Sequence, residues 1–304
     1  MLGASDPKNL ERVLANAQLP ALPQSAIRLL ELAKDSNNGP AEFAVPIEID
    51  PGLTGQVLKF VNSSYFGFAR EISSVKLAIT MVGIRTIKNF SLWSAVFSLM
   101  PNPKCGPFEL KVLWQDSLRR ALFARSMGKR LGMREAEDLF AAALLQDMAV
   151  PLLAKEMPKE YEALFLARAE NHARLSRLES ERFGWNHAQA AARLAHRWNL
   201  PKEFCLLVER HAAIDEMAAE TSTPRDQWVV ALSSLLPTGS DANWIECQAF
   251  DAHFERLDAA PGAAVEILAQ VDREFGDFAP MFKIATPARS LVESHQLALS
   301  SACT

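Results

Sequence analysis

The stretch Phe140–Val150, FAAALLQDMAV, decides how this chain is read. Apolar residues run unbroken from Phe140 to Leu145, Gln146 and Asp147 interrupt them, and Ala149 and Val150 resume the pattern. An amide and a carboxyl buried without partners cost roughly 2–7 kcal/mol each, so a buried helix keeps them only where hydrogen bonds or a ligand meet them. Within one helix expected over 136–154, Phe140, Ala143, Leu144, Asp147, Val150 and Ala154 share a stripe, which turns Asp147 towards the core.

Outward from that stretch, 108–215 reads as consecutive helical segments with no alternating strand pattern. Upstream, Asp6-Pro7 and Asp50-Pro51 are helix starts, each with a capping carboxylate followed by a proline suited to the first turn. The two prolines of Leu19–Pro23, LPALP, fix an extended lead into a helix over Ile27, Leu30 and Ala33. Pro46 is expected to bend or shorten the helix over 42–49. Asn62–Gly67, NSSYFG, closes the helix after Asp50 with a polar turn in which Gly67 supplies positive φ. Ser73 and Ser74 cap a helix running to Gly83, and a strongly apolar helix follows over Ile84–Leu99. Pro101–Pro107 is the best linker in the first half. After Ala212 only 228–236 and 263–275 read as helical, and the tail carries no chemical motif.

Composition narrows the class. The 304 residues are 49% hydrophobic, enough for a large core. The net charge of −4 is uneven: 12 acidic and 5 basic residues at 220–304 give −7, leaving +3 for 1–219. Neither part is basic enough for a nucleic-acid binder. The charged N-terminus shows no signal peptide, and no run approaches the length of a membrane span, so a cytoplasmic protein is expected. Cys105, Cys205, Cys247 and Cys303 form no CxxC pair and are expected as free thiols. Phosphate-loop, dinucleotide, HExxH and GxSxG motifs are absent.

The motifs resemble a known family. Gln146-Asp147 stands where the HD superfamily of metal-dependent phosphohydrolases carries adjacent His and Asp in a context like LLHDIG, with Ala149 at the Gly position. LPALP, Asp50-Pro51-Gly52-Leu53, the NSSYFG turn and the Ile72–Gly83 section, over roughly 18–215, are similar to the HD-related output domain (HDOD), a signalling relative that has generally lost the catalytic residues. The resemblance implies an all-α protein with a helical subdomain at 1–103 and an HD-like subdomain at 104–218. The acidic helical extension at 219–304 lies beyond it and is expected to dock on the HD-like part, since Trp228, Leu232, Leu235 and Leu236 would otherwise leave an apolar face exposed.

It also implies where a vestigial centre lies. Asp116, in LWQDS, matches the first ligand position, Gln146 and Asp147 match the central pair, and His187 and His211 match later histidines. From local chemistry, Asp116 is expected to pair with Arg119 or Arg120, Gln146 and Asp147 to sit in a satisfied polar cluster, and His187 to be a hydrogen-bonded core histidine. His211 is expected at a helix C-terminus. Asn62, Ser63, Tyr65, Phe66 and Gly67 form either an internal docking turn or a partner surface. With imidazole gone at two positions, the expectation is no metal, no cofactor and no catalysis: a bacterial signalling module that works through contacts with other signalling proteins. A phosphohydrolase acting on a nucleotide or cyclic dinucleotide is the competing class, and a pocket that senses a nucleotide without cleaving it is a third. Nothing in the sequence sets the oligomeric state.

Overall fold

The computed structural model describes residues 9–17, 21–282 and 284–302. Asp6-Pro7, the Leu19-Pro20 part of LPALP and Cys303 lie outside the described residues. Every regular element described is helical. The first group is α1 (Leu10–Asn16), α2 (Gln24–Leu32), α3 (Pro40–Glu48), α4 (Pro51–Val61), α5 (Val75–Val82) and α6 (Ile84–Leu99). The second is α7 (Leu110–Arg130), α8 (Ala136–Leu145), α9 (Ala149–Glu156), α10 (Pro158–Asn171), α11 (Leu175–Phe183), α12 (His187–Arg197) and α13 (Lys202–Arg210). The third is α14 (Ile214–Ala219), α15 (Arg225–Ser233), α16 (Cys247–Leu257), α17 (Ala263–Phe278) and α18 (Leu291–Ala302).

Local chemistry sets the helix starts. Asp50 Oδ1 accepts the Leu53 amide at 3.0 Å with Pro51 in the first turn, and Ser74 Oγ accepts the Leu77 amide at 3.2 Å. Pro46 is accommodated inside α3. The helices α2 to α6 pack chiefly on one another, and the non-helical stretch after Met100 leads into α7.

The axis of the rest is α7, buried continuously from Trp114 to Gly128 because α8, α15 and α17 surround it. A Cβ at Gly128 would stand 2.9 Å from Leu139 Cδ1 and 3.3 Å from Ala136, so a larger residue there would push Leu139 aside and α7 and α8 slightly apart. Arg125 is fully buried on the same helix. Its guanidinium donates to Glu274 of α17 at 2.7 Å and lies 4.7–4.9 Å from the rings of Tyr65, Phe140 and Phe278, so charge and π-faces compensate its burial.

Two expectations change. The single helix over 136–154 is two helices broken at Gln146–Met148. Pro151 has no N–H to give the Asp147 carbonyl, which accepts instead from Val150 at 3.0 Å, three residues on. That break, not a continuous stripe, aims Asp147. The tail holds more helix than its hydropathy suggested, with α14, α16 and α18 in addition to α15 and α17; in α16 only Cys247, Phe250 and Phe254 are buried.

The Asn62–Gly67 turn is an internal joint. Asn62 Nδ2 donates to the carbonyls of Leu58 and Ile72 at 2.9 and 2.8 Å, and its Oδ1 accepts the Ile72 amide at 2.7 Å. Ser63 Oγ donates to the Phe60 carbonyl at 2.7 Å, and Gly67 takes φ +60°. Phe66 packs edge-on to Phe60, Tyr65 edge-on to Phe278 of α17, and Ser64 donates to Asp277 at 2.9 Å. Tyr65 is therefore engaged by the C-terminal extension rather than presented as an open surface.

Candidate functional site

Several elements converge on one cavity of about 460 Å3, whose lining includes Asp116, Arg120, Asp147, His187 and His211. Asp116 and Arg120 stand one turn apart on α7, and Asp147 occupies the break between α8 and α9. His187 opens α12, and His211 follows α13. The extension contributes the loop over 237–246, which lines the same cavity, so the tail that carried no motif supplies part of the wall.

The His187 position is built locally. Gly184, at φ +80°, ends α11, and Asn186 caps α12 by accepting the amides of Ala188 and Gln189 at 3.0 and 3.2 Å. That turn returns the chain to Glu179, a wholly buried carboxylate. Its Oε2 accepts His187 N–H at 2.8 Å and meets His187 Nδ1 at 2.6 Å, while Oε1 accepts the Tyr161 hydroxyl at 2.6 Å. Sequence reading missed Glu179; the signal was an acidic residue four positions before Phe183 on the buried side of α11.

Hydrogen bonding fixes both imidazoles. An ionised Glu179 and a backbone carbonyl only accept, so His187 Nδ1 carries a proton for Glu179 and His211 Nδ1 one for the Val208 carbonyl, 2.6 Å away. Both Nε2 atoms then face Asp147 Oδ1, at 3.1 Å from His187 and 3.5 Å from His211, and stand 3.2 Å from each other. Two neutral rings so fixed would set lone pair against lone pair, and a positive charge between them relieves this. A proton does so on His187: burial opposes it, but the Glu179 and Asp147 carboxylates outweigh burial and push His187 up to about 10. Burial likewise opposes ionisation of Asp147, yet Arg120 and the two histidines hold it well below the usual carboxylate range.

The Arg120 guanidinium is hydrogen-bonded to Asp147 Oδ2. This corrects the expected pairing of Arg120 with Asp116, its neighbour one turn away on α7. Asp116 Oδ1 instead accepts the Gly239 amide at 2.8 Å, and Arg119 donates to the Arg289 carbonyl. Burial pushes Asp116 up to about 7, against the opposing pull of Arg120, Gly239 and Arg119. Gln146 is fully buried but faces α15: its Oε1 accepts Ser233 Oγ at 3.4 Å, and its Nε2 has no partner among the described residues. The expectation of a satisfied polar cluster therefore holds for Asp147 and fails for Gln146.

The separations of 3.1, 3.2 and 3.5 Å among the Asp147, His187 and His211 atoms match the edges around one divalent ion with bonds of about 2.0–2.2 Å. These three residues fit a single ion. A second ion of a dinuclear centre finds no matching set, because Gln146 is turned away and Asp116 is tied to Gly239.

The HDOD domain family matches residues 19–214. Among solved structures, an HDOD domain protein of unknown function from Geobacter sulfurreducens shares 22% identity, with TM-score 0.66 over 86% of this chain and 96% of that one. A Shewanella amazonensis SB2B protein provisionally described as a phosphohydrolase shares 19%, with TM-score 0.69 over 92% and 98%. A Marinobacter aquaeolei VT8 protein provisionally described as a signal transduction protein shares 19%, with TM-score 0.67 over 93% and 68%. An uncharacterized protein of Treponema pallidum (strain Nichols) is 24% identical over 217 residues, 67% of this chain and 42% of that protein, so the chain spans less than half of that relative's length. No described helix is long and apolar enough to cross a membrane. The HDOD match covers more than half of the chain, which belongs to the HDOD family.

Proposed function

We propose that this HDOD protein is a non-catalytic signalling module that passes on its state through contacts with other signalling proteins, its polar centre serving as a rigid joint. The observation that carries this reading is the one-sided centre. Asp147 is shared by Arg120 and two histidines, while Gln146 and Asp116 bond elsewhere. Phosphoester hydrolysis at a dinuclear site needs both ions to place and activate the attacking hydroxide, and here only one side offers converging ligands. In this reading the chain divides at 103/104 and 218/219, works in the cytoplasm and needs no cofactor.

The competing reading, a metal-dependent phosphohydrolase, is favoured by the ion-sized spacing of the Asp147, His187 and His211 atoms. Those residues would hold the ion, which supplies Lewis-acid charge. Elemental analysis together with assays on a generic phosphodiester and on cyclic dinucleotides separates the two. We expect no turnover. Turnover that is lost in His211→Ala together with about one metal ion per chain overturns the module reading. Pull-down from native cytoplasm, with the partner identified, tests the contact role.

A further inference from the structure

A second group of ligating side chains lies in the C-terminal extension, beyond the residues that match the HDOD family. Cys247 is the first residue of α16 and Asp251 stands one turn later, so both face the same way. His295 reaches them from α18, with Nε2 at 2.9 and 3.0 Å from the two Asp251 oxygens. Cys247 Sγ is 3.9 Å from Asp251 Oδ2, and one ligand atom from each of the three lies within 4.8 Å of the others.

We propose that Cys247, Asp251 and His295 form a binding site for a single zinc ion. Thiolate, imidazole and carboxylate together are the donor set of a borderline-soft divalent ion, and magnesium or calcium would not select a thiol. The spacing suits it: zinc with a bond of about 2.3 Å to sulfur and about 2.0 Å to oxygen places those donors about 3.5 Å apart, a few tenths of an ångström inside the present separation. Three protein donors leave a fourth position for water. The Asp251 side chain keeps 29% exposure, which gives ion and water a way in, while Cys247 and His295 are buried.

Countercharge distinguishes this trio from the one at Asp147. There, a guanidinium occupies the second carboxylate oxygen; at Asp251, His295 is the only basic side chain within ion-pair distance among the described residues. Zinc binding releases the Cys247 thiol proton to solvent, and thiolate plus carboxylate then balance the two charges of the ion. The ion would fasten α18 to α16. The His295 ring also lies 5.7 Å from Trp244, which lines the cavity, so the ion would brace that wall.

Cobalt titration of the full-length protein tests this, because cobalt substitutes for zinc and a thiolate ligand gives an intense near-ultraviolet charge-transfer band. The cavity lining contains no cysteine, so the band reports on this trio and not on Asp147, His187 and His211. The expected result is a band that saturates at one cobalt per chain, is displaced by zinc, and is lost in Cys247→Ser. Cobalt affinity should fall at least tenfold in His295→Gln. Circular dichroism checks that each variant is folded, and His295→Gln decides if Cys247→Ser is not. No band in the wild type, or a band unchanged in a folded variant, overturns the proposal and leaves a plain His295–Asp251 pair beside a buried thiol.

Discussion

The centre has two halves that chemistry treats differently. On one side Asp147, His187 and His211 share contacts, with Glu179 behind His187 and Arg120 on Asp147. On the other, Asp116 holds a single loop amide and Gln146 leaves its Nε2 unpaired. A buried polar group is retained cheaply when its neighbours supply opposite charge and hydrogen bonds, and at a cost when they do not. The first half is a network and the second a pair of isolated groups, although sequence placed all five residues in one constellation.

The largest test removes the hub. Asp147→Ala leaves Arg120 buried without its carboxylate and should cost about 3–5 kcal/mol of unfolding free energy in urea at pH 7. A loss below about 1 kcal/mol would show that the first half is no network.

Titration separates the halves next. Asp116 moves from 3.8 to about 7 on folding, so the folded chain binds its proton more tightly. Its contribution is full below about pH 4 and is lost as pH rises to about 7, a change of about 2–4 kcal/mol. His187 is also raised, from 6.5 to about 10, so its contribution is full below about pH 6.5 and lost towards pH 10. Asp116→Asn should flatten the lower window of a stability profile and leave the upper one; a variant that alters both would join the halves into one coupled unit.

A control lies outside both. Asn62→Leu removes three hydrogen bonds at a partly exposed turn and should cost about 1–2 kcal/mol without moving either pH window. The smallest effect belongs to Gln146→Met, which removes an unpaired amide nitrogen and one long hydrogen bond from Ser233 and keeps the volume. We expect it to be neutral or to stabilise by up to about 1 kcal/mol, measured by thermal unfolding. A loss above about 2 kcal/mol would return Gln146 to the working part of the centre.

Sequence by itself determined the helical class, the Asp50-Pro51 helix start, the NSSYFG turn and the family; the first described helix starts instead at Leu10, capped by Asn9. Each rests on residues close together in the chain, where spacing and backbone preference act directly. It also picked out Asp116, Asp147, His187 and His211, all of which line the cavity. Only the tertiary structure decided how they pair. Arg120 lies one turn from Asp116 yet bonds Asp147, 27 residues away, because the break forced by Pro151 aims that carboxylate at α7. The Gly239 amide reaches Asp116 across 123 positions, and His295 reaches Asp251 across 44. Such contacts follow from how helices cross, which periodicity along one helix does not encode. Burial and the charged neighbours brought together by packing then set the charge of each group, burial winning at Asp116 and the neighbours at Asp147 and His187.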